Sequence, residues 1–509
     1  MKNITVKLLI VLIFISACSA DKKLYKETRE LNTIDGYEKY LAQYSDGIFH
    51  QDAMDQIKLI KFNQARDSAF NRFNHTLKLN KVGNENIISI SPKNIILMGT
   101  PFSINFRNLP PNKNIVVHAF RKEYKSLLYS YACFNSTDSG NVFLNKSEPN
   151  YGTYSGVDSL GLFWSMSYIN HLRDSFRYKV DELFENTIYF HIEIDGAIIA
   201  SEKLILQSKL PSVISEQTPI DSLTGMFHYP EEKTNLPVVI ILNGSEGGYK
   251  NINKMAEIIA SHGYAVLALA YFGADNIPKH LEKINLNYIF NAIEWVKNKP
   301  NINSDKIVLA GGSRGGELAL LIASLTPNIK GVIAVEPSDV LFQANPYNPG
   351  GILFAKPAWM LNGKPLPFLH HAHELPTLMQ FGTNARQIEL MPLYDNAFVE
   401  GPKLEKAKIK VEKINGPILL IAGKDGQLWP SYRMCQRLVK RLKDNNFTHP
   451  VHALYYDEAG HYVTIAPELK PTIYYKTDQV KVGGTDSGNA SAQADSWIQI
   501  INFLQEFFN

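Results

Sequence analysis

The segment from Lys306 to Ser324, KIVLAGGSRGGELALLIAS, limits what this chain can fold into more than any other stretch. An apolar run, glycines around a serine and an apolar helical pattern predict a strand, a sharp turn and a helix. Residues 311–315 match the G-x-S-x-G template of a nucleophile elbow, in which the central serine, here Ser313, has a strained backbone. The segment therefore predicts an α/β domain with a serine nucleophile. A glycine-rich turn of another α/β fold, with a serine there by chance, is the competing interpretation.

Composition excludes several functional classes. The 509 residues include 52 Lys and Arg against 49 Asp and Glu, so the formal charge of +3 does not indicate a nucleic-acid partner. Besides Cys18, the cysteines are Cys133 and Cys435, which lack the C-x-x-C spacing of a redox motif or a structural zinc site. We therefore expect no metal, no cofactor and a small-molecule substrate.

Residues 1–18 read as an export signal. A positive start at Lys2 precedes an apolar core from Val6 to Phe14, which is too short to span a bilayer permanently. The ending Ala17-Cys18 resembles a bacterial lipobox, so we expect a lipoprotein signal peptide with Cys18 as the lipidated residue. The chain would then be anchored by lipid alone in the bacterial cell envelope, at the outer membrane or the periplasmic face. An ordinary signal peptide cleaved near Ala20 is the alternative.

Three further regions follow along the chain. Residues 19–82 are polar with apolar residues at helical spacing, and we interpret them as a helical spacer. Residues 83–210 contain short β-branched and aromatic runs separated by turn signals, which predict an antiparallel sandwich. Pro211 to Asp221 is expected to be a linker. From residue 211 to 509, strand and helix patterns alternate, which predicts a mostly parallel sheet with helices on both faces.

The alternation breaks between residues 338 and 416, and this proline-containing insertion is a candidate lid. It carries His370, His371 and His373, which could suggest a metal site. Because acidic or cysteine partners at useful spacing are missing, we expect an exposed lid segment instead.

A serine nucleophile needs a base and a carboxylate that orients the base, and in α/β-hydrolases the order is Ser, acid, His. His461 follows the apolar strand Val451 to Tyr456 and is the predicted base. Asp425 follows the strand ending at Ala422 and is the predicted acid, although Asp-Gly is also a common turn. Three other acids are kept in reserve, namely Asp457, Asp395 and Glu336.

The oxyanion of the reaction needs backbone N–H donors. The elbow supplies the N–H of Arg314, and the glycine-rich loop from Leu242 to Gly248 supplies a second donor near Gly244 and Ser245. A phosphate-binding loop is excluded at this position because the G-x-x-x-x-G-K-[ST] spacing is absent.

Together these residues resemble the acyl-CoA thioester hydrolase and bile acid-CoA:amino acid N-acyltransferase (BAAT) family over residues 87–509. The segments that carry the resemblance are GVDSLGLFWSMS at 156–167, NGSEGG at 243–248, GSRGGEL at 312–318, GKDGQLWPS at 423–431, AGHY at 459–462 and GGTDSGNASAQADSW at 483–497. The resemblance implies an α/β-hydrolase domain preceded by an all-β immunoglobulin-like sandwich domain. It also implies Ser313, Asp425 and His461 as the triad.

One departure concerns the acid. Family members often show two adjacent acids in this loop, whereas the second position here is Gly426. The resemblance implies that serine members are mostly hydrolases, so we expect an exported serine acyl hydrolase that cleaves acyl esters or thioesters through an acyl-serine. An acyltransferase acting on an amine or alcohol acceptor remains open, as does a catalytically weakened, ligand-binding surface lipoprotein.

Overall fold

The computed structural model describes residues 20–45, 47–76, 87–92, 94–124, 126–168, 184–219, 222–344, 355–372, 375–382, 387–466, 468, 471–472 and 480–508. The predicted signal with Cys18 and the insertion residue His373 lie outside these ranges. The chain forms two compact units. The first comprises residues up to 91, 103–162 and 166–204, and the second comprises 92–102, 163–165 and 205–509. Within the described ranges, no helix combines the length and apolar character needed to cross a bilayer.

Helices form in the regions where apolar residues recur at helical spacing, such as residues 19–82, and also within the insertion, where the alternation breaks. In chain order they are α1 (Ile34–Gln43), α2 (His50–Thr76), α3 (Gly161–Trp164), α4 (Lys250–Ser261), α5 (Asn287–Lys297), α6 (Arg314–Leu325), α7 (Leu375–Gly382), α8 (Met391–Asp395), α9 (Pro402–Ala407), α10 (Ser431–Asp444) and α11 (Asp486–Phe508).

The region expected to be a helical spacer has a small core of its own. Tyr25, Tyr37 and Tyr40 are buried there, and the Tyr40 hydroxyl donates to Asp21 Oδ1 at 2.6 Å. This tyrosine core packs helix α1 against α2. The role of the region as a spacer stays a prediction.

The first unit contains two sheets. The strands of residues 88–207 are β1 (Ile88–Ser91), β2 (Ile95–Leu97), β3 (Ser103–Phe106), β4 (Asn114–Glu123), β5 (Ser126–Asn135), β6 (Val142–Phe143), β7 (Tyr151–Gly152), β8 (Ser167–Tyr168), β9 (Thr187–Ile194) and β10 (Ala197–Gln207). Strands β1, β3 and β6 form one antiparallel sheet. Strands β10, β9, β4, β5 and β7 lie side by side in the other. The aromatic and β-branched runs therefore form strands, as predicted.

The second unit is built on an eight-stranded sheet in the order β11-β12-β14-β13-β16-β17-β20-β21. The strands of residues 213–456 are β11 (Val213–Gln217), β12 (Thr224–Pro230), β13 (Leu236–Leu242), β14 (Ala265–Ala270), β15 (Ile284–Asn285), β16 (Ile302–Gly312), β17 (Gly331–Val335), β18 (Trp359–Leu361), β19 (Lys364–Pro365), β20 (Ile418–Gly423) and β21 (Val451–Tyr456).

This sheet is mixed. Strands β14, β13, β16, β17, β20 and β21 are parallel, whereas β12 is antiparallel to both β11 and β14. Every residue of β13, β14 and β20 is buried, as expected for parallel strands covered on both faces. With helix α6 directly after the nucleophile strand β16, this is the α/β-hydrolase fold.

The predicted linker is partly wrong. Strand β11 (Val213–Gln217) occupies its middle and pairs antiparallel with β12 at the edge of the large sheet. Only Val213 of this strand is fully buried. Because an edge strand is held by backbone hydrogen bonds on one side and needs little apolar pattern, its sequence reads like a loop.

The insertion between β17 and β20 is ordered around an apolar cluster. Its described part includes β18 and β19, which form a small sheet with β15, and helices α7, α8 and α9. Phe342, Leu369, Leu393 and Trp429 belong to the cluster. Movement of this insertion as a lid stays a prediction.

Candidate active site

Ser313 sits in a strained turn between β16 and α6. Its φ of 56° and ψ of −122° lie outside the regions that most residues adopt. The Ser313 N–H donates to the Val335 carbonyl at 2.8 Å, and the Ser313 carbonyl accepts from Glu317 at 3.0 Å. The serine is thus fixed by its backbone at the carboxyl edge of the sheet, as the elbow template requires.

Glycines allow the strands to approach the elbow. A Cβ on Gly315 would lie 2.2 Å from the carbonyl oxygen of Leu242, and a Cβ on Gly244 would lie 3.5 Å from the Cβ of Ser313. The loop after β13 therefore passes directly beside the serine. The structure brings together Ser313 and the loop that was predicted to complete the oxyanion hole.

Backbone donors are available on both sides of the serine. Arg314 is the first residue of α6, so its N–H has no acceptor within the helix. The Gly244 N–H donates to Asn243 Oδ1 at 2.9 Å, whereas the Ser245 N–H donates to no acceptor in the described part of the chain. Tyr271 holds this loop through a 2.7 Å bond from its hydroxyl to the Asn243 carbonyl. Of the two predicted loop donors, Ser245 is the better placed.

His461 lies in the loop after β21. Its N–H donates to the Val482 carbonyl at 2.9 Å, and its ring packs against Trp429 with centroids 6.4 Å apart. The residue is 8% exposed. The imidazole is thus held at the same edge of the sheet as the turn that carries Ser313.

The carboxylate beside the histidine belongs to Glu336. Glu336 directly follows β17, is 1% exposed and places Oε2 at 3.5 Å from His461 Nδ1. Its other oxygen accepts from the Gly423 N–H at 2.5 Å. Both Oε2 and Nδ1 are buried and have no other hydrogen-bond partner among the described residues.

The structure does not bring the Asp425 carboxylate to His461, and the role of Asp425 as the acid stays a prediction. The exposed Asp425 carboxylate accepts from the Gly484 N–H at 2.8 Å and from Gln427 Nε2 at 3.4 Å. The Asp425 side chain therefore links the turn that carries it to the segment of residues 483–485. The reserve acids Asp457 and Asp395 pair with Lys424 and Arg433, respectively.

A buried ion pair under the elbow was not foreseen from the sequence. Arg314 Nη1 lies 2.9 Å from Glu317 Oε2, and Trp359 Nε1 donates to the other Glu317 oxygen at 2.6 Å. Arg314 Nη2 also donates to the Phe342 carbonyl at 3.2 Å. Burial raises the pKa of Glu317 to about 7, against the opposing effect of Arg314. These bonds tie the insertion to helix α6.

Of the insertion histidines, His370 and His371 lie within the described residues. No group of three or more His, Cys, Asp or Glu side chains suited to a metal occurs in the part of the chain that the structure describes. His371 is buried between Phe342 and Tyr394, with ring centroids 5.7 and 4.7 Å away, and burial lowers its pKa well below the usual value. The expectation of an exposed segment therefore holds for His370 and is wrong for His371.

A pocket of about 650 Å³ opens beside the carboxyl end of β14. Its lining combines polar and apolar side chains and includes Lys283, Asn291 and Tyr288. Tyr271 forms part of the wall and also bonds to Asn243 in the oxyanion loop. The pocket is thus connected to the elbow through one buried side chain.

Comparisons with known proteins agree with the sequence resemblance. The model of the acyl-CoA thioester hydrolase/BAAT N-terminal region matches residues 99–210, and the BAAT/acyl-CoA thioester hydrolase C-terminal model matches residues 284–509. The chain is 26% identical over 427 residues to acyl-coenzyme A thioesterase 2, mitochondrial, of Homo sapiens, covering 80% of this chain and 81% of that protein.

One further relative and one solved structure also match. The chain is 24% identical over 429 residues to the peroxisomal succinyl-coenzyme A thioesterase of Mus musculus, covering 82% of this chain and 96% of that protein. Among solved structures, an esterase of Pyrobaculum calidifontis matches at 15% identity with a TM-score of 0.34, covering 58% of this chain and 85% of that chain.

Proposed function

Because the chain belongs to the acyl-CoA thioester hydrolase/BAAT family, we propose that it hydrolyses acyl thioesters or esters through an acyl-serine on Ser313. The observation that carries the proposal is the strained φ of 56° at Ser313, between strand β16 and helix α6. Such strain is kept where a side chain must be presented for chemistry. The curated relatives quoted above are thioesterases, which supports the same class of reaction.

In the first half of the proposed reaction, the Ser313 hydroxyl attacks the acyl carbonyl carbon and transfers its proton to His461. A bond forms between Oγ and the acyl carbon, while the carbonyl oxygen takes up the negative charge. The N–H groups of Arg314 and Ser245 stabilise that charge. When the tetrahedral intermediate collapses, the carbon–sulfur or carbon–oxygen bond breaks, and the leaving thiol or alcohol takes the proton from His461.

Water completes the proposed reaction. His461 accepts a proton from a water molecule as its oxygen attacks the acyl-serine carbonyl. The bond between the acyl carbon and Oγ then breaks, Ser313 recovers its proton from His461, and the free carboxylic acid leaves. Atoms and charges balance without a metal or redox cofactor.

The substrate is proposed to be a small acyl thioester or ester with a polar leaving group. The pocket beside β14 includes Lys283, whose positive charge suits such a group. Fatty acyl thioesters are the natural first substrates to test, with oxyesters as the alternative.

Export and domain class are also part of the proposal. The apolar segment before Cys18 supports a lipid-anchored position in the cell envelope. Incorporation of a labelled fatty acid into the wild type but not into Cys18→Ala would support it.

The two sheets of the first unit and the family match at 99–210 support an immunoglobulin-like sandwich.

Hydrolysis is tested with purified full-length protein on acyl-CoA thioesters of graded length and on p-nitrophenyl esters. Ser313→Ala is compared with Ser324→Ala, a serine on the same helix whose hydroxyl donates to Leu321. We expect Ser313→Ala to lower kcat by roughly 10⁴-fold or more and Ser324→Ala to change it little. Equal activity of the two variants would refute the proposal. Formation of amides or new esters in preference to acid, when amine or alcohol acceptors are added, would identify an acyltransferase.

A further inference from the structure

We propose that Glu336 is the positioning carboxylate for His461, and that it occupies the space which a side chain at position 426 would otherwise fill. This inference rests on the proposed function, because it concerns the same catalytic base. It assigns the acid to the end of β17 instead of the loop after β20.

Two buried polar atoms without partners face each other in this site. His461 Nδ1 and Glu336 Oε2 are 3.5 Å apart, and neither has another hydrogen-bond partner among the described residues. An unpaired buried polar group is unfavourable, so both atoms are stabilised if they share a hydrogen bond. A small side-chain movement closes the distance to that of a hydrogen bond. The Nδ1–H bond would leave Nε2 free to take the serine proton.

The space around Gly426 explains why the acid comes from another strand. A Cβ placed on Gly426 would lie 3.5 Å from Glu336 Oε2, which is ordinary van der Waals contact. A carboxylate on residue 426 and the carboxylate of Glu336 would therefore reach the same place. Gly426 has no carboxylate, and its neighbour Asp425 is held by Gly484.

The backbone of Glu336 directs its side chain toward this position. Its φ of 48° is in the left-handed region, which is uncommon for a residue other than glycine. The Glu336 N–H donates to the Ile421 carbonyl at 2.7 Å, and Trp429 Nε1 donates to the Glu336 carbonyl at 3.1 Å. The strained residue is thus held between β17 and β20, facing the loop that carries His461.

A purely structural role for Glu336 is the alternative, since its Oε1 accepts from the Gly423 N–H. Glu336→Gln separates the two roles. The amide oxygen can still accept from Gly423, while the negative charge is lost. We expect kcat to fall by about 10²–10⁴-fold with a much smaller change in KM and in thermal stability. Asp425→Asn is the matched control and is expected to change kcat by less than about threefold.

Recovery of activity in a double variant tests whether the side chains of residues 336 and 426 share one position. Glu336→Ala removes the carboxylate that lies beside residue 426. The double variant Glu336→Ala/Gly426→Asp then introduces an aspartate next to the space left free. We expect the double variant to recover at least about tenfold in kcat over Glu336→Ala, because the aspartate introduced in the loop after β20 would supply the missing carboxylate. Glu336→Ala without the second change should stay impaired even where the protein remains folded by circular dichroism.

The outcomes separate this inference from the proposed function. If the wild type shows no hydrolysis and no labelling by a fluorophosphonate, the proposed function fails. If the wild type is active and Glu336→Gln keeps its kcat, or Asp425→Asn loses as much as Glu336→Gln, the assignment of Glu336 is overturned. Failure of Gly426→Asp to raise kcat above that of Glu336→Ala would contradict the shared position of the two side chains.

Discussion

The main-chain N–H of Ser313 donates to the carbonyl oxygen of Val335 at 2.8 Å, one residue before Glu336. The backbone of the sheet therefore sets the distance between the strand ends that carry the proposed nucleophile and the proposed positioning carboxylate. Because these positions are fixed by main-chain bonds, substitutions of the catalytic side chains should change kinetics without unfolding the protein. Effects on catalysis and effects on stability can therefore be measured separately.

Glycine substitutions at the elbow should differ sharply in their effect. A Cβ on Gly315 would lie 2.2 Å from the Leu242 carbonyl oxygen, whereas a Cβ on Gly312 meets nothing within 4 Å. We expect Gly315→Ala to destabilise the protein by about 1–3 kcal/mol or more and Gly312→Ala to have little effect on stability. Urea unfolding of both variants measures the difference, and equal midpoints would contradict the close approach of β13 to α6.

Removing the proposed base should abolish turnover. His461→Ala is expected to lower kcat by roughly 10⁴-fold or more, because the proposed reaction transfers the Ser313 proton to His461. His280→Ala is the control, since His280 is exposed and outside the site. Steady-state kinetics on the best thioester measures both. A His461→Ala enzyme with more than about a tenth of wild-type kcat would exclude His461 as the base.

Glu317 should make stability depend on pH. Burial raises its pKa from 4.5 to about 7, so the native state binds a proton more tightly than the unfolded state. Protonation of Glu317 stabilises the native state fully below about pH 4.5, and this stabilisation is lost as pH rises through about 7.

Glu317→Gln should lack this part of the pH dependence. Glu294→Gln, which alters an exposed pair with Lys297, should keep it. The free energy of unfolding measured in urea between pH 4.5 and 8 decides the question. Parallel curves for Glu317→Gln and the wild type would show that the carboxyl does not titrate in that range.

Lys283 should matter for substrates with an anionic leaving group. It lines the pocket beside β14, whereas the exposed Lys279 does not. We expect Lys283→Ala to raise KM for acyl-CoA by about twofold to fivefold, since an exposed ion pair contributes up to about 1 kcal/mol. KM for p-nitrophenyl acetate and the kinetics of Lys279→Ala should stay near wild type. An equal rise in KM for both substrates would place the leaving group elsewhere.

Sequence patterns were sufficient to predict the parallel strands at the centre of the sheet and the strand–turn–helix elbow. The strand predicted to end at Ala422 is β20 (Ile418–Gly423), and all its residues are buried, because strands in a covered parallel sheet read as apolar runs. Strand β11 was missed because an edge strand needs no such run. Local patterns are thus informative where burial is complete on both faces.

The acid could not be chosen from the sequence. Asp425 and Glu336 both follow apolar strands and both precede His461. Their side-chain directions depend on the φ of 48° at Glu336 and on a bond from Gly484 to Asp425, 59 residues along the chain. Such long-range backbone contacts leave no local pattern. The glycine at position 426, where family members often show an acid, was the signal that left the choice between Asp425 and Glu336 open.

The most direct test of the account is the intact mass of the protein after reaction with a fluorophosphonate, followed by peptide mapping. We predict one phosphonyl adduct per chain, located on Ser313 and absent from Ser313→Ala but present in Ser324→Ala. Absence of any adduct in an active wild-type enzyme, or an adduct on another residue that persists in Ser313→Ala, would contradict it.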